Sequence, residues 1–142
     1  MKSFLSESQM TSLIEAIWEA ENQSSGEIRV HIDSTTLEHN AAVAFAAFTK
    51  LEMHQTKERN AVLFHVNFEQ KYLTIIGDEG IHKKVKQQFW DRLHDEITTG
   101  FASGQYYLAL KDAVLKTGQE LKNHFPIVGE NPNELPNEIT FS

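Results

Sequence analysis

Between Leu73 and His82 the chain reads Leu-Thr-Ile-Ile-Gly-Asp-Glu-Gly-Ile-His, an apolar run that stops at a glycine and two carboxylates before a helical pattern begins. This pattern predicts a strand that turns straight into a helix. Gly77 and Gly80 permit backbone angles closed to other residues, so Asp78 and Glu79 are expected on a tight turn with little bulk around them. Two carboxylates so placed could hold a cation. The same residues also fit a simpler arrangement, in which Asp78 caps the following helix and Glu79 gains from the helix dipole.

The rest of the chain is read outward from this turn. Ser6 followed by Gln9 is a capping-box pattern with Leu5 placed to staple onto Met10, so a helix starts there. Met10, Leu13, Ile14, Ile17 and Trp18 recur at spacings of three and four and are expected on one buried face. The helix fades at Glu21 to Gln23, and Ser24-Ser25-Gly26 turns into the strictly alternating strand Glu27 to Asp33. One face of that strand carries Ile28, Val30 and Ile32. The other carries Glu27, Arg29, His31 and Asp33, and is expected to be only partly covered.

From about Leu37 to Met53 the pattern is helical again, with the alanine-rich run Ala41 to Ala47, Phe45, Phe48 and Leu51 suited to packing on a sheet. A polar loop, His54 to Asn60, leads to a strand over Ala61 to Val66; a strand, a crossover helix and a strand imply a parallel, right-handed unit. Asn67 to Lys71 is short enough for a hairpin, which returns Tyr72 to Ile76 antiparallel beside the second strand. After the turn, Ile81, Val85, Phe89, Leu93 and Ile97 mark a helix to about Thr98 that Gly100 ends. Ser103-Gly104 turns into a last helix over Tyr106 to Phe125, stopped by Pro126. Of the adjacent Tyr106 and Tyr107, one should pack while the other offers its hydroxyl to solvent. Residues 1–126 thus read as one domain, and 127–142 as an extended tail with a mobile end.

This topology decides which residues can meet. With the first two strands parallel and the third antiparallel, the far end of the third lies beside the starting ends of the others. Asp78 and Glu79 then approach Arg59 and Asn60, with Gly26 and Glu27 beyond them. Asp33 and Asn67 fall at the opposite edge, outside this cluster. Glu27, Asn60, Asp78 and Glu79 offer hard oxygens suited to Ca2+ or Mg2+, and Arg59 could pair with a carboxylate or a phosphate. A purely structural Arg59–Asp78 ion pair fits the same placement. Glu134 or Glu138 could add a ligand from the tail, although a solvated tail explains them as well.

Composition narrows the function classes. There is no cysteine among the 142 residues, which removes thiolate chemistry and fits a reducing cytoplasm. The net charge of -7 repels phosphate backbones and anionic lipid, making nucleic acid and membranes poor partners and cations acceptable ones. No apolar run reaches signal-peptide or membrane-span length, so a soluble, untargeted monomer is expected. None of the seven histidines falls in an HExxH pattern, though His31 and His65 would be neighbours if their strands pair directly. A nucleophile elbow, a phosphate-binding loop with its lysine and a dinucleotide fingerprint are all absent from the sequence.

Ser25-Gly26-Glu27-Ile28-Arg29-Val30, Arg59-Asn60-Ala61-Val62-Leu63, Ile75-Ile76-Gly77-Asp78-Glu79-Gly80-Ile81, and Gly100-Phe101 with Gly104-Gln105-Tyr106, in this order and spacing, resemble the TPM domain family over roughly residues 4 to 126. That family includes a thylakoid-lumen phosphatase associated with photosystem II repair and many bacterial proteins of unassigned role. The resemblance implies an α/β/α sandwich with a small mixed sheet and about four helices, divalent-cation binding at loops on one edge, and weak acid phosphatase activity in some members. It carries onto Asp78, Glu79, Arg59 and Asn60. Membrane-anchored members usually bring a signal peptide and a C-terminal transmembrane or glycine-rich segment, which this sequence does not show, and Ala61 stands where many members have glycine. Three functions follow as expectations: a cation-binding module with a regulatory or protein-partner role, a metal-assisted phosphatase, and a metal-independent interaction domain using Arg29, His31 and His65 on the polar sheet face.

Overall fold

The computed structural model describes residues 4–34, 39–127 and 139–142. In chain order it contains α1 (Glu7–Glu21), β1 (Glu27–Asp33), α2 (Asn40–Lys50), a 3-10 turn (Met53–Gln55), β2 (Ala61–Asn67), β3 (Tyr72–Gly77), α3 (Glu79–Ala102), α4 (Tyr106–His124) and β4 (Thr140–Phe141). The strands form one mixed sheet in the order β3-β2-β1-β4. β1 runs parallel to β2 and to β4, while β2 and β3 form the antiparallel hairpin. Ile28, Val30, Ile32, Val62, Phe64 and Val66 pack on one side in a core with residues of α1, α3 and α4. On the other side Ala61 and Leu63 pack against Phe48 and Met53, and α2 with the turn after it covers that face. The result is the expected open α/β/α sandwich.

Local chemistry explains most element ends. Ser6 and Gln9 form the reciprocal capping box that starts α1. The stripe on α1 is narrower than expected: Leu13 and Ile17 are fully buried, but Trp18 is 54% exposed. Trp18 lies about 140° around the helix from Leu13, whereas Ala16 and Ala20 lie on Leu13's other side and are buried. The small residues mark the packed arc because α4 approaches there; a Cβ at Gly118 would sit 2.5 Å from that of Ala20. Phe45 is a second departure, 62% exposed while Ala44 and Phe48 form the buried face of α2.

Gly100 does not end α3. It lies inside the helix, where a Cβ would meet that of Ala109 at 2.7 Å, so its role is close packing on α4. The end is a Schellman motif at Gly104, whose φ is 79°, with Gly104 N–H donating to Phe101 O (3.0 Å) and Gln105 N–H to Gly100 O (2.8 Å). Lys86, at φ 67° and ψ 171°, breaks the same helix. A stripe stepping strictly by four drifts about 40° per step, so a straight helix from Ile81 to Ile97 would turn its later members away from the sheet. Past the break, Trp90, Leu93, Ile97 and Phe101 share the buried face. Both tyrosines at the start of α4 are half-buried; Tyr106 packs against Phe4 and Phe101, and Lys111 lies over the Tyr107 ring.

Two expectations about the sheet are corrected. The polar face of β1 is not half-covered, since all seven of its residues are buried and His65 opposite is fully inaccessible. Arg29, His31 and His65 are therefore interior groups rather than an interaction surface. The end of the tail is not loose either: Ile139 is buried and Thr140–Phe141 extends the sheet beside His31 and Ile32. Helix α2 begins at Asn40 rather than Leu37 and stops at Lys50; Leu37, Glu134 and Glu138 lie outside the described residues.

Candidate functional site

The edge where β1 and β2 begin and β3 ends brings the acidic turn onto the loop before β2. Strand β3 stops at Gly77 because Trp90 lies against it; a Cβ there would be 2.5 Å from the indole ring. Asp78 stays extended, donates its N–H to Ala61 O (3.0 Å) and caps α3 by accepting from Glu79 N–H (2.8 Å). Gly80 N–H then donates to Arg59 O at 2.8 Å, an approach so close that a Cβ would lie 2.6 Å from that oxygen and collide with Glu58 O. Arg59 accommodates the crossing with a left-handed backbone, φ 53°.

The guanidinium closes the structure. Arg59 Nε donates to Asp78 Oδ2 at 2.7 Å and Nη2 to Oδ1 at 2.8 Å, a two-pronged pair, while Nη1 reaches Glu79 Oε1 at 3.5 Å. The Asp78 side chain is 6% exposed, against 43% for Arg59 and 60% for Glu79. Hydrogen bonding to Asp78 holds the guanidinium pKa above its ordinary value. Both simpler expectations for Asp78, helix cap and ion pair, therefore hold at once.

Asn60 is buried beside this pair. Its N–H donates to Thr56 Oγ1 (3.2 Å) and its Nδ2 to Ser25 Oγ (3.1 Å), and Ser25 in turn donates to Glu58 Oε2 (3.2 Å). Its Oδ1 is buried and accepts no hydrogen bond. Glu27 is 1% exposed and is engaged with Glu21, whose carboxylate accepts from Ile28 N–H. Burial raises the Glu21 pKa to about 9, the Ile28 N–H opposes that shift, and the Glu27 charge adds to it. The structure thus joins Arg59, Asp78 and Glu79 directly, sets Asn60 next to them, and gives Glu27 a carboxyl partner. Ser25, Glu58 and Glu21 were missed by sequence reasoning. Only the first two carried a signal, as a polar neighbour of Gly26 and a carboxylate next to Arg59.

At the opposite end of the sheet, the register pairs His31 with His65 and Asp33 with Asn67. The two imidazoles stack at 5.6 Å between ring centres. His65 Nε2 lies 3.3 Å from Asp33 Oδ2, and the two nitrogens of His31 are hydrogen-bonded to Thr140 Oγ1 (2.7 Å) and Ser142 Oγ (2.8 Å). Burial lowers the His31 pKa to about 4, with the neighbouring His65 adding to the effect. His65 is also lowered by burial, against the pull of Asp33. Burial favours the neutral form of both rings, and the neutral His65 donates its Nε2–H to the Asp33 carboxylate.

The described residues form an open α/β/α sandwich with a mixed sheet, and an arginine clasps its acidic strand-to-helix turn. The sequence model of the TPM domain matches residues 1–120, and the chain belongs to the TPM domain family. The BA42 protein of the psychrophilic bacterium Bizionia argentinensis, solved by NMR, is 35% identical at a TM-score of 0.91, covering 100% of this chain and 98% of its own. The N-terminal domain of a P. gingivalis protein, 18% identical at a TM-score of 0.63 over 90% of this chain and 84% of its own, shares the fold. No curated protein matches the sequence. Among the described residues, no helix is long and apolar enough to cross a membrane.

Proposed function

We propose that this TPM domain is a divalent-cation-binding module with a binding or regulatory role, taking Ca2+ or Mg2+ on oxygens of Asp78, Glu79, Asn60 and Glu27. The observation that carries the reading is Asn60 Oδ1, a buried amide oxygen with no hydrogen-bond partner. Such an orphan costs about 1–3 kcal/mol, and amide oxygens are ordinary ligands for hard cations. Glu79 is exposed enough to meet an incoming ion. Asp78 joins only by exchange, because Arg59 already neutralises its carboxylate. The arginine side chain is half-exposed and can swing into solvent, so the cation and Arg59 compete for one carboxylate. Arg59 directs Nε and Nη2 at Asp78 and Nη1 at Glu79, an arrangement that serves the acidic turn itself and so supports the binding reading over a phosphatase.

The test is a titration of chelator-treated protein with Ca2+ and then Mg2+, followed residue by residue in amide NMR spectra. Saturable shifts centred on Asn60, Asp78 and Glu79 are expected. Asp78→Ala should weaken binding tenfold or more, about 1.4 kcal/mol. Unchanged affinity in that variant, or no shifts up to millimolar cation, would refute the assignment.

A further inference from the structure

We infer that His31, Asp33 and His65 form a second cation site, distinct from the acidic turn and built for a borderline transition-metal ion of the Zn2+ class. The three side chains can each offer one ligand atom, and these atoms all lie within 4.8 Å of one another. Around a tetrahedral Zn2+ with bonds of about 2.0–2.1 Å, ligand atoms stand about 3.3 Å apart. The His65 Nε2–Asp33 Oδ2 contact is already at 3.3 Å, the spacing of two ligands on one such ion. Two imidazoles and one carboxylate are the donor set that suits zinc-like ions and not Ca2+ or Mg2+, which prefer oxygen alone.

Three further observations support the reading. His65 Nε2 faces the Asp33 carboxylate, so the ring position set beside a second ligand is already oriented. His31 is held by two side-chain hydroxyls, of Thr140 and Ser142. Hydroxyls rotate, so one can release its nitrogen to a metal while the other continues to orient the ring. The Asp33 side chain, 13% exposed against 1% for His65, provides the approach from solvent. Because His31 contacts β4, occupancy would be felt by the C-terminal residues.

The experiment titrates the chelator-treated full chain with Co2+, reads the visible absorption of a tetrahedral ligand field, and then displaces the cobalt with Zn2+. One equivalent is expected to bind and to be displaced by Zn2+ but not by excess Mg2+. His31→Gln and Asp33→Asn should each weaken binding at least tenfold, and His124→Gln, at an exposed position on α4, should leave it unchanged. Imidazole nitrogen spectra of the unaltered protein give a readout independent of whether the variants fold: on adding Zn2+, the His31 and His65 nitrogens should shift together with the amides of residues 139–142. Failure to bind Co2+ and Zn2+, or binding that leaves the His31 and His65 nitrogens in place, would overturn the assignment. Neither result bears on the Ca2+ site, which uses other residues.

Discussion

Replacing Glu21 with glutamine is expected to stabilise the protein, and by more as the pH rises. Glu21 sits buried against Glu27 with one oxygen accepting the Ile28 N–H, and its pKa is pushed up to about 9 from the ordinary 4.5. A group whose pKa is raised on folding contributes fully below its unfolded value and loses that contribution as the pH rises towards its folded one. At pH 7 the folded chain holds a proton that the unfolded chain has lost across about 2.5 pH units, a loss of about 3 kcal/mol at 1.36 kcal/mol per unit. At pH 5 the same loss is below about 1 kcal/mol. Glutamine matches the neutral acid in shape, keeps an acceptor for Ile28 and offers N–H groups to Glu27, yet it has no proton to lose. Because Glu27 shares in the titration, about 3 kcal/mol is a ceiling. Urea unfolding of both proteins at pH 5, 6, 7 and 8 should show the advantage of Glu21→Gln growing by up to about 1.4 kcal/mol per pH unit. Parallel pH profiles for the two proteins would refute the buried, protonated carboxyl.

Acid should act on the other end of the sheet in the opposite sense. His31 has a pKa lowered to about 4, so its contribution is complete above 6.5 and is lost as the pH falls towards 4. Comparing urea unfolding at pH 7 and 4.5, the native protein should lose about 2–3 kcal/mol relative to His31→Gln, and equal losses would contradict this. Gly80→Ala should destabilise by about 2 kcal/mol or more, since the added carbon meets the rigid backbone at Glu58 and Arg59. Thermal unfolding measures that cost, and an unshifted midpoint would show that the helix start can back away from the loop.

Much of this architecture could be read before the structure because the signals were local. The Ser6–Gln9 capping box, the alternation in Glu27–Asp33 and the short Asn67–Lys71 hairpin each have one strong backbone solution, and together they dictate that Asp78 meets Arg59. What stayed hidden depended on partners distant in sequence. The polar face of β1 has the alternation of a half-exposed strand, but its interior polar groups find one another across β2 and β4. Trp18 and Phe45 belong to helical stripes whose true centres are set by alanines, and the sequence does not say how closely a neighbouring helix will approach. Glu21 looked like the polar end of α1, and only the return of the chain at Ile28 buries it. The two-residue β4 is too short for any periodicity to announce.

The central claim is that Arg59 occupies, as a built-in cation, the carboxylate that a divalent ion would take. Comparing Ca2+ affinities of the native protein and Arg59→Gln tests it most directly, with amide shifts at Asn60, Asp78 and Glu79 as the readout. If the arginine is the ion's competitor, its removal should tighten binding about tenfold or more, a gain of about 1.4 kcal/mol or more in cation affinity. Weaker or unchanged binding in Arg59→Gln would contradict the account and leave Asp78 a helix cap held by an ion pair.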